Sequence, residues 1–194
     1  MLRTTIELCQ EIVSVSDMYY CANGKWIVET SIDSYSDYLH LFNTTGPNGS
    51  ATTTTVNGYQ QGHTIEETKL LADIIIEKTN TILTNTNTPC QIQNHIQTWS
   101  IQYYPGGWKG IHCHDHGSTG ATAVLYFDEP SSGQDDEGAI YAILPDEYGN
   151  TKVNFWHSAP GKLLVMDARI WHGVYPTLDT RRVLVLDFEA NWNE

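Results

Sequence analysis

The stretch Gln97–Asp128, QTWSIQYYPGGWKGIHCHDHGSTGATAVLYFD, decides the fold. It opens and closes on runs rich in aromatic and β-branched residues, 97–104 and 121–128, each of strand length. Pro105-Gly106-Gly107 marks a turn after the first run. Between the two lies Ile111-His112-Cys113-His114-Asp115-His116, three histidines and an acid within five residues. Side chains two apart on a strand share a face. His112 with His114, or His114 with His116, can therefore present two imidazoles to one point, while Cys113 points away. Imidazole with carboxylate suits iron, zinc or nickel.

The same grammar continues to the end of the chain. Further strands are predicted near 138–144, 151–157, 162–167 and 182–189. The turns between them are Pro130-Ser131-Ser132-Gly133, Pro145-Asp146, Ala159-Pro160-Gly161 and Leu178-Asp179-Thr180. Short strands punctuated by Gly and Pro argue an all-β sandwich or barrel. Upstream, Thr64 and Glu67 form a capping-box pattern. A helical stripe of Leu70, Leu71, Ile74, Ile75 and Ile82 follows, as far as about Leu83, and Pro89 stops it. Thr4 to Val15 reads as an amphipathic start and Ile27–Thr30 as a short strand. Residues 43–62, rich in Thr, Gly and Asn, read as a surface loop or an active-site lid. The expectation is a mainly β protein, a jelly-roll (double-stranded β-helix) core with supporting N-terminal α-helices. The whole of 1–194 is taken as a single domain: helices, loop and supporting strands over 1–96, the catalytic core over 97–194.

Two more elements bear on chemistry. Ile170-Trp171-His172-Gly173-Val174 follows the apolar strand Lys162–Met166. A jelly roll can bring His172 to the mouth beside the His cluster. Two near ligands and one distant His make a facial triad with open positions. Arg181-Arg182 opens the apolar run Val183–Phe188, in a chain with ten basic residues. Strand alternation sends one inward, where it would clamp a carboxylate bidentately.

Residues 97–189 resemble the catalytic core of the 2-oxoglutarate/iron(II) dioxygenases, in particular the prolyl-hydroxylase-like branch. The resemblance rests on Tyr103–Trp108 leading to His112, on Ala123–Asp128, on Gly161–Val165 followed by Trp171–Val174, and on Pro176 with Thr180-Arg181. It implies Fe(II), O2 and 2-oxoglutarate as co-substrate. It implies His112 and His172 at the metal, where His114 is the favoured third ligand, Arg181 on the co-substrate with Arg182 in reserve, and Tyr103 and Tyr126 near the co-substrate. The family has Asp or Glu where His114 stands. Asp115 would need a bulge to bind, and His116 with His114 is a third option. The implied activity is hydroxylation of a peptidyl or small-molecule substrate. A three-His cupin-type dioxygenase without 2-oxoglutarate and a non-enzymatic jelly-roll binding protein are the rivals.

Composition narrows the partners. A net charge of −13 repels phosphate backbones and anionic lipids, so neither nucleic acid nor a membrane surface is expected. No apolar run approaches the ~18 residues of a membrane span. Four scattered cysteines fit reduced thiols and a cytoplasmic enzyme. The acidic loop Gln134–Glu137 reads as a solvated turn, His157 as structural, and Trp108 and Trp171 as walls of a substrate pocket or of the core.

Overall fold

The computed structural model describes residues 9–12, 17–42, 55–130, 136–145 and 150–192. Three strands come first, β1 (Cys9–Ile12), β2 (Met18–Ala22) and β3 (Lys25–Ser31), then a 3-10 helix at Tyr35–Phe42. β4 (Thr55–His63) leads into the helix α1 (Ile65–Asn85) and the long strand β5 (Cys90–His112). Six strands complete the chain: β6 (Thr119–Tyr126), β7 (Ile140–Pro145), β8 (Thr151–Trp156), β9 (Lys162–Asp167), β10 (His172–Val174) and β11 (Arg181–Trp192). They form one curled antiparallel sheet ordered β1-β2-β3-β9-β6-β11-β5-β10-β7-β8, with β4 paired to β5 off that path. The architecture is mainly β, a jelly-roll core, as the strand grammar predicts.

β5 is the hinge of the roll. Its first half pairs with β11 (Arg181 opposite Tyr103) and its last residues pair with β10 (His172 opposite His112). The chain bends at the expected turn, but without leaving the sheet. Gly106 takes a positive φ of 80°, a backbone that glycine adopts freely. An added Cβ on Gly107 would lie 2.6 Å from the Asn57 carbonyl oxygen and 2.7 Å from that of Tyr104. Pro105–Gly107 is therefore a kink inside a strand, held by backbone on both sides.

The apolar runs of β6, β9 and β11 are continuous because both faces are buried. Leu163, Val165, Leu184, Leu186 and Phe188 face the outer layer. Leu164, Met166, Val183 and Val185 face the inside of the roll. α1 covers the outer layer with Leu71, Ala72, Ile75, Ile82 and Leu83. Each fully buried Leu or Ile contributes about 1.5–3 kcal/mol. The capping box is present: Thr64 Oγ1 accepts from Glu67 N at 3.3 Å, and Glu67 Oε2 accepts from Thr64 N at 2.8 Å. Leu70, counted in the predicted stripe, points to solvent.

Several expectations are corrected. Among the described residues of 1–96 there is one α-helix, and the other support comes from β1–β4 and the 3-10 helix. Residues 55–62 belong to β4 rather than a loop, because backbone pairing with β5 does not need apolar side chains and this edge strand is mostly polar. The possible lid over 43–54, most of the amphipathic start and Gln134-Asp135 lie outside the described residues. Glu137 is buried and its Oε1 accepts from the Leu178 N–H at 3.1 Å, so it ties two loops together instead of solvating a turn. His157 lies just past β8 and is exposed. No described helix is long and apolar enough to cross a membrane.

Candidate metal centre

His112 and His172 sit opposite each other in the β5–β10 ladder, their ring centroids 4.4 Å apart. His114 lies beyond the end of β5, in a segment pinned by its own N–H to the Ala168 carbonyl at 2.9 Å. A turn, not strand alternation, thus brings it inward. Its ring lies parallel to that of His172 (5.2 Å, 9°) and stacks on Trp99 (5.7 Å, 12°). One ligand atom from each of His112, His114 and His172 falls within 4.8 Å of the others, the spacing a single metal ion needs.

The second nitrogen of every ring is already committed. His112 Nδ1 meets the Gly110 carbonyl at 2.8 Å and His172 Nδ1 meets the Ile170 carbonyl at 3.0 Å. A carbonyl only accepts, so Nδ1 carries the hydrogen and the Nε2 lone pair is left free. His114 Nδ1 faces Asp187 Oδ1 at 3.1 Å. Asp187 is fully buried and also accepts from Thr122 Oγ1 at 2.7 Å and Gln97 Nε2 at 2.8 Å. Burial raises the Asp187 carboxyl, but hydrogen bonds from His114, Thr122 and Gln97 outweigh it and hold the group below the usual carboxylate range. A carboxylate behind a histidine orients the ring and raises its basicity toward a metal. Burial, with the Lys109 charge beside it, pushes His112 down to about 4. Burial, then His112 and His114, push His172 well below the usual imidazole value. Both rings are therefore neutral near pH 7, the form a metal takes without displacing a proton.

The histidines line a recess that is partly open to solvent. Arg181, Tyr103 and Lys109 share its walls with Trp99, Val183 and Val185. Arg181 is 4% exposed, and none of its three guanidinium nitrogens has a hydrogen-bond partner among the described residues. Its Cζ lies 4.9 Å from the Tyr126 ring and 5.6 Å from the Tyr103 ring. Those faces stabilise the cation without neutralising it. The buried Tyr126 hydroxyl also lacks a partner. Burial raises both phenols, Tyr103 to about 12, so they remain neutral donors.

Other expected residues are placed elsewhere. Arg182 faces away and donates to Asp128 through Nε at 3.0 Å and Nη2 at 2.6 Å. Asp115 is exposed and joins neither group of ligand-like atoms. His116 is exposed and falls in a second group with His114 and Asp187, but that carboxylate is already saturated. Trp108 and Trp171 are exposed and do not line the recess. Sequence reasoning missed Trp99, Lys109 and Asp187. Asp187 had a signal, an acid inside the apolar run Val183–Phe188, which a folded chain leaves unpaired at high cost.

No protein-family model matches the chain, and no curated protein matches it. Solved structures do. A Pseudomonas putida prolyl-4-hydroxylase superposes with a TM-score of 0.65 at 16% identity, over 84% of this chain and 91% of that one. A Trichoplax adhaerens prolyl hydroxylase, solved with a hypoxia-inducible-factor peptide fragment, gives 0.62 at 18% identity, over 86% and 84%. A Burkholderia pseudomallei oxidoreductase of the 2OG-Fe(II) oxygenase family gives 0.61 at 12% identity, over 84% and 85%. The chain has the fold of the prolyl-4-hydroxylases and other 2-oxoglutarate/iron(II) oxygenases.

Proposed function

We propose that the chain is an iron(II)- and 2-oxoglutarate-dependent dioxygenase that hydroxylates a peptidyl or small-molecule substrate, with O2 consumed and succinate and CO2 released. One observation carries the reading: the buried, unpartnered Arg181 guanidinium shares a recess with three histidines whose Nε2 atoms are free. A buried cation with three unpartnered donor nitrogens fits an incoming carboxylate. That feature favours a 2-oxo acid over a three-His dioxygenase that uses none, and over a binding protein whose histidines are incidental.

The donor set fits a divalent metal. Neutral imidazoles suit iron, and Asp187 supplies negative charge one bond network behind His114. His112, His114 and His172 would hold the ion, which when bound supplies the redox chemistry that couples O2 to decarboxylation of the oxo acid. The chain's own work is positional. Arg181 takes the distal carboxylate bidentately. The Tyr126 and Tyr103 phenols, kept neutral, offer hydroxyls to the same end. Val183, Val185, Ile101 and Val124 keep water from the remaining walls.

The test is succinate formation from 2-oxoglutarate with iron(II) in air. His112→Ala and His172→Ala are expected to abolish it. Arg181→Met is expected to raise the KM for 2-oxoglutarate by about 10–100-fold, the worth of a charge-assisted pair. Unchanged turnover in all three variants contradicts the proposal. Iron-dependent O2 uptake without 2-oxoglutarate replaces it with the three-His reading.

A further inference from the structure

Lys109 is the second buried cation of the recess, 7% exposed against 4% for Arg181. Among the described residues its ammonium makes no hydrogen bond or ion pair, and the side chain lines the recess. No carboxylate lines the recess. The nearest, Asp187, lies behind His114 with its oxygens occupied. The two cations stand at different ends. Arg181 pairs with Tyr103 in the β5–β11 ladder and packs on the Tyr103 and Tyr126 rings, whereas Lys109 pairs with Val174 in the β5–β10 ladder, the same ladder that sets His112 opposite His172.

A local irregularity puts Lys109 there. Val174 pairs with Lys109 and His172 with His112, so two steps on β10 span three on β5. Such a bulge re-aims a side chain. Without it, alternation would send Lys109 to the face opposite His112. An ammonium turned into a largely apolar recess costs free energy unless a ligand supplies the counter-charge.

We propose that Lys109 is a second anion-binding group, so that the recess takes carboxylates at both ends, one on Arg181 and one on Lys109 beside the histidines. The inference rests on the recess proposed above as the oxo-acid site, but not on oxygen chemistry. It is tested by calorimetry on the full chain in chelator, with glutarate, butyrate and acetate as probes. Loss of succinate formation therefore leaves this test standing, and failure here leaves the iron reading standing.

Wild type is expected to bind glutarate about tenfold or more tighter than butyrate, since glutarate adds one charge-assisted contact. Lys109→Met should bind the two alike, Lys109→Arg should keep the preference, and Arg181→Met should weaken both. If the two anions belong to separate molecules, butyrate and glutarate bind alike but acetate binds on top of butyrate. Lys109→Met then loses the acetate alone. Lys109→Met removes an unpaired buried charge, so its melting temperature should equal or exceed that of wild type; Lys109→Gln gives the same readout should it not fold. The inference is overturned if wild type neither prefers glutarate nor takes acetate, or if Lys109→Met matches wild type in both.

Discussion

Asp187 is the residue on which the three-histidine arrangement turns. Where the resembled family has a carboxylate at the metal, this chain has His114, and the nearest buried carboxylate stands behind that ring. Asp187→Asn keeps the shape but removes the charge. It also turns an acceptor for Gln97 Nε2 into a donor, leaving buried polar groups unmatched. The expected outcome is a 10–100-fold loss of iron(II) affinity with a stability loss of about 1–3 kcal/mol, read by metal titration and denaturant unfolding. Unchanged metal affinity would make Asp187 structural only. At this scale the sequence was legible where chemistry is written in residue type: His112, His114, His172 and Arg181 meet around one recess. Lys109 was not legible, because its direction depends on a bulge and strand periodicity points it the wrong way.

The same limit appears at the scale of elements. Where side chains alternate or cap, as in β9, β11 and the start of α1, the elements lie close to where the pattern sets them. Where pairing is a matter of backbone alone, the pattern is silent. β4 is polar along most of its length and is held by its ladder to β5. β5 itself runs from Cys90 to His112 through a Pro-Gly-Gly sequence that reads as a chain reversal. Its kink is fixed by close approach: Gly107 lies against the Asn57 and Tyr104 carbonyls, and its own carbonyl accepts from the Thr177 N–H at 3.0 Å. Gly107→Ala cannot be absorbed by a side-chain rotation there. A cost of about 1–3 kcal/mol is expected, together with weakened metal binding, because the kink feeds directly into Lys109 and His112. A variant with wild-type unfolding midpoint and metal affinity would show that the kink does not set the site.

Over the whole molecule, one inward-facing row of β11 organises the site. Arg181, Val183, Val185 and Asp187 alternate to the same side, so a single strand carries the buried Arg181 guanidinium at one end and the Asp187 carboxylate behind His114 at the other. β5 and β10 bring His112 and His172 over that row, the turn after β5 brings His114, and the outer layer under α1 packs behind the sheet. The composition was informative about class but not about this: a chain of net charge −13 buries two cations in the recess beside the histidines. The central claim is that three histidines hold an iron(II) that a 2-oxo acid then chelates, with its far carboxylate on Arg181. The most direct test adds iron(II) and then 2-oxoglutarate to the protein without oxygen and follows the visible spectrum. The account predicts a weak charge-transfer band saturating at one iron per chain, absent in His112→Ala and His172→Ala, and needing more 2-oxoglutarate in Arg181→Met. Iron bound with no band at saturating 2-oxoglutarate, or no iron bound at all, would contradict it.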